Sequence, residues 1–161
     1  YRPGHFQGVC RVVSRLMHIV QPGQLYIGQK DYQQCMVIKR LLFLIHSQAH
    51  VVICPTLREP NGLAMSSRNM RLADEEKQKA GGIFEALSYI RRHVKPGPVN
   101  HVLEAAEHIL TRNELRADYI AIAGAEDLRG IDYWDGRTKT VALIAAFMGE
   151  VRLIDNIIIT A

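Results

Sequence analysis

Leu25-Tyr26-Ile27-Gly28-Gln29-Lys30-Asp31 is the stretch on which the fold turns. Three β-prone residues run into a glycine, and Asp31 then stands where a helix would begin, ahead of an apolar-rich stretch to about His46. Upstream, Val9, Val12, Val13, Leu16, Ile19 and Val20 recur at helical spacing from Gly8 to Val20, and Gln21-Pro22-Gly23 stops the pattern. Downstream, His50-Val51-Val52-Ile53-Cys54 reads as a second buried strand closed by Pro55. Helix, strand, helix, strand is the order of a parallel α/β sheet. In such sheets the turn leaving a strand is where ligands sit, facing backbone N–H groups and the positive end of a helix.

The composition changes after Asn69. Asp74-Glu75-Glu76 supplies an acidic first turn for a helix expected to run to about Val94, where Lys95-Pro96-Gly97-Pro98 breaks it. Val99 to Leu110 reads as another amphipathic helix, and Tyr119–Ala123, Thr140–Ala146 and Val151–Ile159 as three strands of a small, mostly antiparallel sheet. The expected fold class is therefore α/β followed by a small α+β module, with domains at residues 1–68 and 69–161.

At 161 residues and 48% hydrophobic, the chain can bury a core, and no apolar run approaches the roughly 20 residues of a membrane helix. A soluble, cytoplasmic protein is expected. The net charge of +4 is spread singly through the sequence, which favours small phosphates over a nucleic-acid track. Cys10, Cys35 and Cys54 lie among Val, Met and Ile and read as core thiols. His46 and His50 have i, i+4 spacing, yet no Glu or third ligand accompanies them, so no metal site built from protein ligands is expected. Tyr133-Trp134-Asp135-Gly136 reads as a turn with a partly buried aromatic.

Two segments carry candidate chemistry. In Gly28-Gln29-Lys30-Asp31, glycine permits close backbone approach and Lys can reach a phosphate as a compact charge; the Asp can cap the helix, accept from a ribose hydroxyl or sit near magnesium. In Leu63-Ala64-Met65-Ser66-Ser67-Arg68-Asn69, two hydroxyls and an Arg form a compact donor set suited to a triphosphate. Taken singly, a solvated turn and a capped Ser-Ser turn explain these segments more readily.

Their conjunction changes that balance. Arg2-Pro3-Gly4-His5-Phe6-Gln7-Gly8-Val9, Gly28-Gln29-Lys30-Asp31-Tyr32-Gln33-Gln34, Gly62-Leu63-Ala64-Met65-Ser66-Ser67-Arg68-Asn69 and Arg152-Leu153-Ile154-Asp155-Asn156 together resemble, in order and spacing, the pantothenate synthetase (pantoate–β-alanine ligase) family from Tyr1 to Ala161. The resemblance implies a partial Rossmann-like nucleotidyltransferase domain, a C-terminal α+β lid domain, and condensation of pantoate with β-alanine through a pantoyl-adenylate. ATP is the implied co-substrate with Mg2+, and a homodimer the implied assembly, with neither nucleic acid nor membrane as partner. By the same resemblance Gly28, Gln29, Lys30 and Asp31 contact ATP, with Lys30 catalytic through its charge; Leu57, Met65, Ser66, Ser67 and Arg68 complete the nucleotide contacts; and Gln34, one helical turn beyond Lys30, holds pantoate. Met65 to Arg68 looks like the counterpart of the KMSKS loop of class I tRNA synthetases. Arg2 and His5 lie in a family motif and border either substrate or loop packing.

The family's HIGH-type segment has no counterpart in this sequence, and Tyr1-Arg2-Pro3 reads as mid-protein sequence. A fragment is expected, inactive by itself. Another HIGH-type nucleotidyltransferase and a noncatalytic dimerisation or lid module are the alternatives.

Overall fold

The computed structural model describes residues 4–160. The chain divides into two compact units, Tyr1–Pro55 and Thr56–Ala161.

In the first unit α1 (His5–Val20), β1 (Gln24–Gly28), α2 (Tyr32–Leu44) and β2 (His50–Cys54) follow the expected order. The two strands pair in parallel, Gln24 opposite His50 through to Gly28 opposite Cys54. A parallel pair needs a crossover, and α2 supplies it. The core is small: Met17, Ile38 and Leu42 are buried, with Val9, Val13, Leu25, Ile27 and Val51 packed against them. Because apolar residues encircle more of α1 than this core covers, Val12, Leu16, Ile19 and Val20 stay exposed. Both helices end in left-handed residues. Gln21, at φ 46°, closes α1 by donating its N–H to the Met17 carbonyl. Beyond α2, His46 adopts φ 53° and the Ser47 N–H reaches back to the Leu42 carbonyl at 3.0 Å, a Schellman-type stop. The His46 and His50 spacing therefore straddles a helix end and a strand start.

In the second unit α3 (Asp74–Ala80), α4 (Gly82–His93) and α5 (Asn100–Arg112) accompany β4 (Arg116–Gly124), β6 (Thr140–Met148) and β7 (Val151–Ile159), with β3 (Gly97–Pro98) and β5 (Tyr133–Trp134) forming a separate two-residue pair. The main sheet is antiparallel in the order β4-β6-β7. Its central strand is buried at every position except the half-buried Phe147. Ile83, Leu87 and Ile90 of α4 and Val102, Ala106 and Leu110 of α5 share one core with Ile122, Ile144 and Ile157 of the sheet. Each fully buried Leu or Ile there contributes about 1.5–3 kcal/mol of transfer free energy.

Two expectations change. The helix expected from Asp74 to Val94 is interrupted at Gly81. A Cβ on Gly81 would stand 2.7 Å from the Asn61 carbonyl oxygen, and one on Gly82 would stand 2.7 Å from Asn113 Cβ. Close approach of neighbouring backbone and side chain at this glycine pair is thus the physical reason for the break. Second, Gln29–Asp31 forms a 3-10 turn ahead of α2, and Asp31 makes no side-chain cap hydrogen bond. The two compact units meet after Pro55, while the sequence reading places the domain boundary at Arg68. Residues 56–68 belong to the second unit, where Leu63 joins the core, Asn61 donates to the Lys77 carbonyl and Arg58 is ion-paired to Asp155 of β7.

Met17, Met36 and Met148 are all buried. Cys35 is buried, Cys10 and Cys54 are half-buried, and all three are free thiols. Trp134 is buried and its indole N–H donates to the Thr138 carbonyl at 2.9 Å.

Candidate active site

The first cluster lies where β1 hands over to α2. Gly28 ends the strand in extended conformation, and a Cβ added to it would meet nothing within 4 Å, so a ligand can approach this backbone. The buried Cys35 thiol donates to the Gly28 carbonyl at 3.4 Å, tying the strand end to the first turns of α2. Burial, and secondarily the negative charge of Asp31, pushes that thiol up to about 11. The Lys30 side chain is only 18% exposed, and its ammonium lies 3.8 Å from the Asp31 carboxylate, which is 54% exposed. A cation held by partial burial beside a more solvated carboxylate is a suitable arrangement for meeting a polyanion.

Gln34 is half-buried in the first turn of α2. Since Lys30 sits in the preceding 3-10 turn, the two do not share one continuous α-helical face, which corrects the simple one-turn spacing argument. His5 is exposed at the start of α1, and Arg2 falls outside the described residues.

The second cluster belongs to the other unit. Leu57 is exposed, and its carbonyl accepts the Met65 N–H at 2.9 Å. Between them Arg58 and Ala64 form an isolated bridge, and the Glu59 N–H donates to the Leu63 carbonyl at 2.9 Å, so residues 57–65 make a short hairpin turning at Gly62. Gly62 has φ +89°, the left-handed region that glycine enters without strain. Ser66 then caps a 3-10 turn, Ser67–Arg71, its hydroxyl accepting the Arg68 N–H at 3.3 Å. Asn69 is buried and its side-chain amide donates to the Ala64 carbonyl at 3.0 Å. Met65, Ser66 and Ser67 line one cleft of about 770 Å³ together with Asn69, Lys77 and Gln78; Leu57 and Arg68 lie outside its lining.

The sequence motifs gave no role to three residues that the structure makes prominent. The Arg58 guanidinium meets the Asp155 carboxylate through a two-pronged contact, 2.5 Å from Nη1 to Oδ2 and 3.1 Å from Nη2 to Oδ1, and stacks 4.1 Å above the Phe84 ring. The Asp155 side chain is 3% exposed. A lone carboxylate inside the apolar run Leu153-Ile154-Asp155-Asn156-Ile157 was the available signal, because a charge buried on a strand requires a partner. Its neighbour Arg152 instead grips Asp118 at 2.7 Å. Among the described residues no group of three or more His, Cys, Asp or Glu side chains is arranged to hold a metal ion, and no helix is long and apolar enough to cross a membrane.

Against known proteins, the Pantoate-beta-alanine ligase family profile matches residues 1–158. The pantothenate synthetase of Cytophaga hutchinsonii is 43% identical, over 99% of this chain and 57% of that protein. The crystal structure of pantothenate synthetase from Thermus thermophilus matches with a TM-score of 0.87 at 41% identity, over 97% of this chain and 56% of that one. The pantoate-beta-alanine ligase from Francisella tularensis, complexed with beta-gamma ATP and beta-alanine, matches with a TM-score of 0.70 at 33% identity, over 97% of this chain and 51% of that one. The chain spans just over half the length of these relatives. A profile match along nearly the whole chain, joined to the same mixed α/β fold at about 40% identity, establishes that the chain belongs to the pantoate-beta-alanine ligase family.

Proposed function

We infer that this chain serves an ATP-dependent ligase that condenses pantoate with β-alanine, and that Gly28 to Asp31 receive the nucleotide. The observation carrying this is Lys30, four-fifths buried on the turn that leaves a parallel strand, beside the open backbone of Gly28, in a chain of this family. A relative of known structure holds beta-gamma ATP and beta-alanine, which agrees with ATP and β-alanine as substrates here.

In the proposed reaction the pantoate carboxylate attacks the α-phosphorus of ATP and pyrophosphate leaves. The β-alanine amine then attacks the acyl carbon, releasing AMP and a proton and forming the amide. Negative charge shifts onto the departing pyrophosphate in the first step. The Lys30 ammonium, already fixed by partial burial, stabilises it without reorganisation. Gln29 and Asp31 flank Lys30 toward the phosphates and ribose, and Gln34 orients pantoate by hydrogen bonding. In the other unit Leu57, Met65, Ser66, Ser67 and Arg68 contact the nucleotide: the serine hydroxyls and the Arg fork suit phosphate oxygens, and the free lone pair of the Leu57 carbonyl suits the base. Magnesium would enter on the triphosphate, keeping phosphate and water oxygens as ligands, with the exposed Asp31 carboxylate as the near acidic group. A homodimer and a cytoplasmic setting belong to the same reading.

The test is magnesium- and pantoate-dependent ATP–pyrophosphate exchange by the full-length protein. Lys30→Ala should lower the exchange rate by roughly 10²–10³-fold, as loss of one preorganised charge contact does. No pantoate-dependent exchange in the folded wild type would overturn the reading. The 161 residues by themselves are expected to show no measurable turnover, since they hold no HIGH-type segment for the phosphates.

A further inference from the structure

Arg58 and Asp155 sit beside or inside the family-like motifs, yet neither is used in the chemistry above. We propose that they form a positioning pair which sets the Met65–Arg68 loop for the nucleotide; this rests on the reading of that loop as a nucleotide contact.

The chain of fixed geometry begins in the sheet. Asp155 lies opposite Ile144 of the central strand, and its Oδ1 also accepts the Asn156 N–H at 2.8 Å, so the carboxylate is held from its own backbone. Arg58 spans it with both terminal nitrogens, and Nη1 additionally donates to the Gly62 carbonyl at 3.0 Å, closing the hairpin turn with the same guanidinium. The Phe84 ring covers the flat face of the guanidinium. From there the hairpin passes the constraint on: Met65 N–H to Leu57 carbonyl, then the Asn69 amide to the Ala64 carbonyl, so both ends of the four-residue loop are tied.

The pair is a poor stabiliser for what it takes to bury it. Two desolvated charges regain little net free energy over an apolar pair of the same size, so geometry is the more economical account of its presence. Arg, in place of Lys, is required by that account, because only a planar fork can meet two carboxylate oxygens while stacking on a ring.

Removing one partner alone strands a buried charge and risks unfolding, so the decisive variants are Arg58→Lys, which keeps the charge, and Arg58→Met combined with Asp155→Leu, which removes both charges. Full-length variants would be followed by amide hydrogen exchange, by the KM values for ATP and pantoate in pyrophosphate exchange, and by Trp134 fluorescence melting. The expected result is a melting transition retained, amides of Met65 and Asn69 exchanging about tenfold faster while β6 and β7 stay protected, and KM for ATP raised about tenfold with that for pantoate changed by under about twofold. Unchanged protection of the loop overturns the proposal. So does uniform loosening of loop and sheet together, or an equal rise in both KM values, since each describes a merely structural pair. If the wild type shows no pantoate-dependent exchange, the functional reading falls by itself, and the hydrogen-exchange comparison still decides whether the pair orders the loop.

Discussion

Replacing Gly62 by Ala strikes the hairpin at the point where backbone, ring and guanidinium meet. The residue sits at φ +89°, where an L side chain costs roughly 1–2 kcal/mol. The new methyl would also press into Phe84, overlapping Cδ1 and standing 3.0 Å from Cγ and 3.2 Å from Cβ. Phe84 must then turn, at roughly 0.5–1.5 kcal/mol for a displaced rotamer, and it loses part of its stack with Arg58, worth about 0.5–2 kcal/mol. With partial relaxation the destabilisation should be about 2–4 kcal/mol. The chain's one tryptophan, Trp134, is buried in this same unit, so its emission during urea unfolding reports the relevant transition. With a denaturant slope of about 1–3 kcal/mol/M, the midpoint should fall by about 0.7 M or more. Adding Phe84→Leu should recover the steric share and leave the dihedral share, which a double-mutant cycle separates. A midpoint shift below about 0.3 M would refute the reasoning, showing that the hairpin flexes around the methyl.

Two further outcomes follow from charge and burial. Cys35, buried and pushed up to about 11, should resist a thiol-directed disulfide reagent at pH 8 while the half-buried Cys10 and Cys54 react, as peptide mapping would show; equal labelling of all three would contradict the packing of α2. Because that thiol is raised from 9.0, its contribution to stability is complete below about pH 9 and fades as pH climbs through about 11. Asp135 shows the opposite sign. The Thr138 hydroxyl, then the Thr138 and Arg137 backbone N–H groups, hold its carboxyl down at about 2 from 3.8, so the stability it lends the Trp134 turn is present above pH 3.8 and lost as pH falls through about 2. A carboxyl NMR titration of Asp135 with an ordinary midpoint near 3.8 would remove this contribution.

Legibility tracked the range of the interactions involved. The ends of β1, β2 and β7 were readable to within a residue because apolar runs bounded by glycine, proline or polar turns are local signals, and the helical period of α1 held through Val20. The break at Gly81 was not readable: a glycine inside a periodic stretch is usually tolerated, and what makes it a break is proximity to Asn61 and Asn113. Asp31 has the right identity and position for a helix cap, but the 3-10 turn places its carboxylate near Lys30 instead. The candidate nucleotide loop was visible as a motif, whereas its support was not. Arg58 and Asp155 lie 97 positions apart, and no periodicity or propensity links them.

That separation also bears on how the polypeptide leaves the ribosome. The hairpin and its Ser-Ser loop are synthesised early in their unit, but the carboxylate that anchors them belongs to β7, far later in the sequence. At roughly 5–20 residues per second, 97 residues correspond to about 5–20 s during which the Arg58 guanidinium has emerged without Asp155. The loop therefore acquires its set only after β7 has been made, and a nascent chain stopped before β7 would carry the candidate nucleotide loop without its carboxylate anchor.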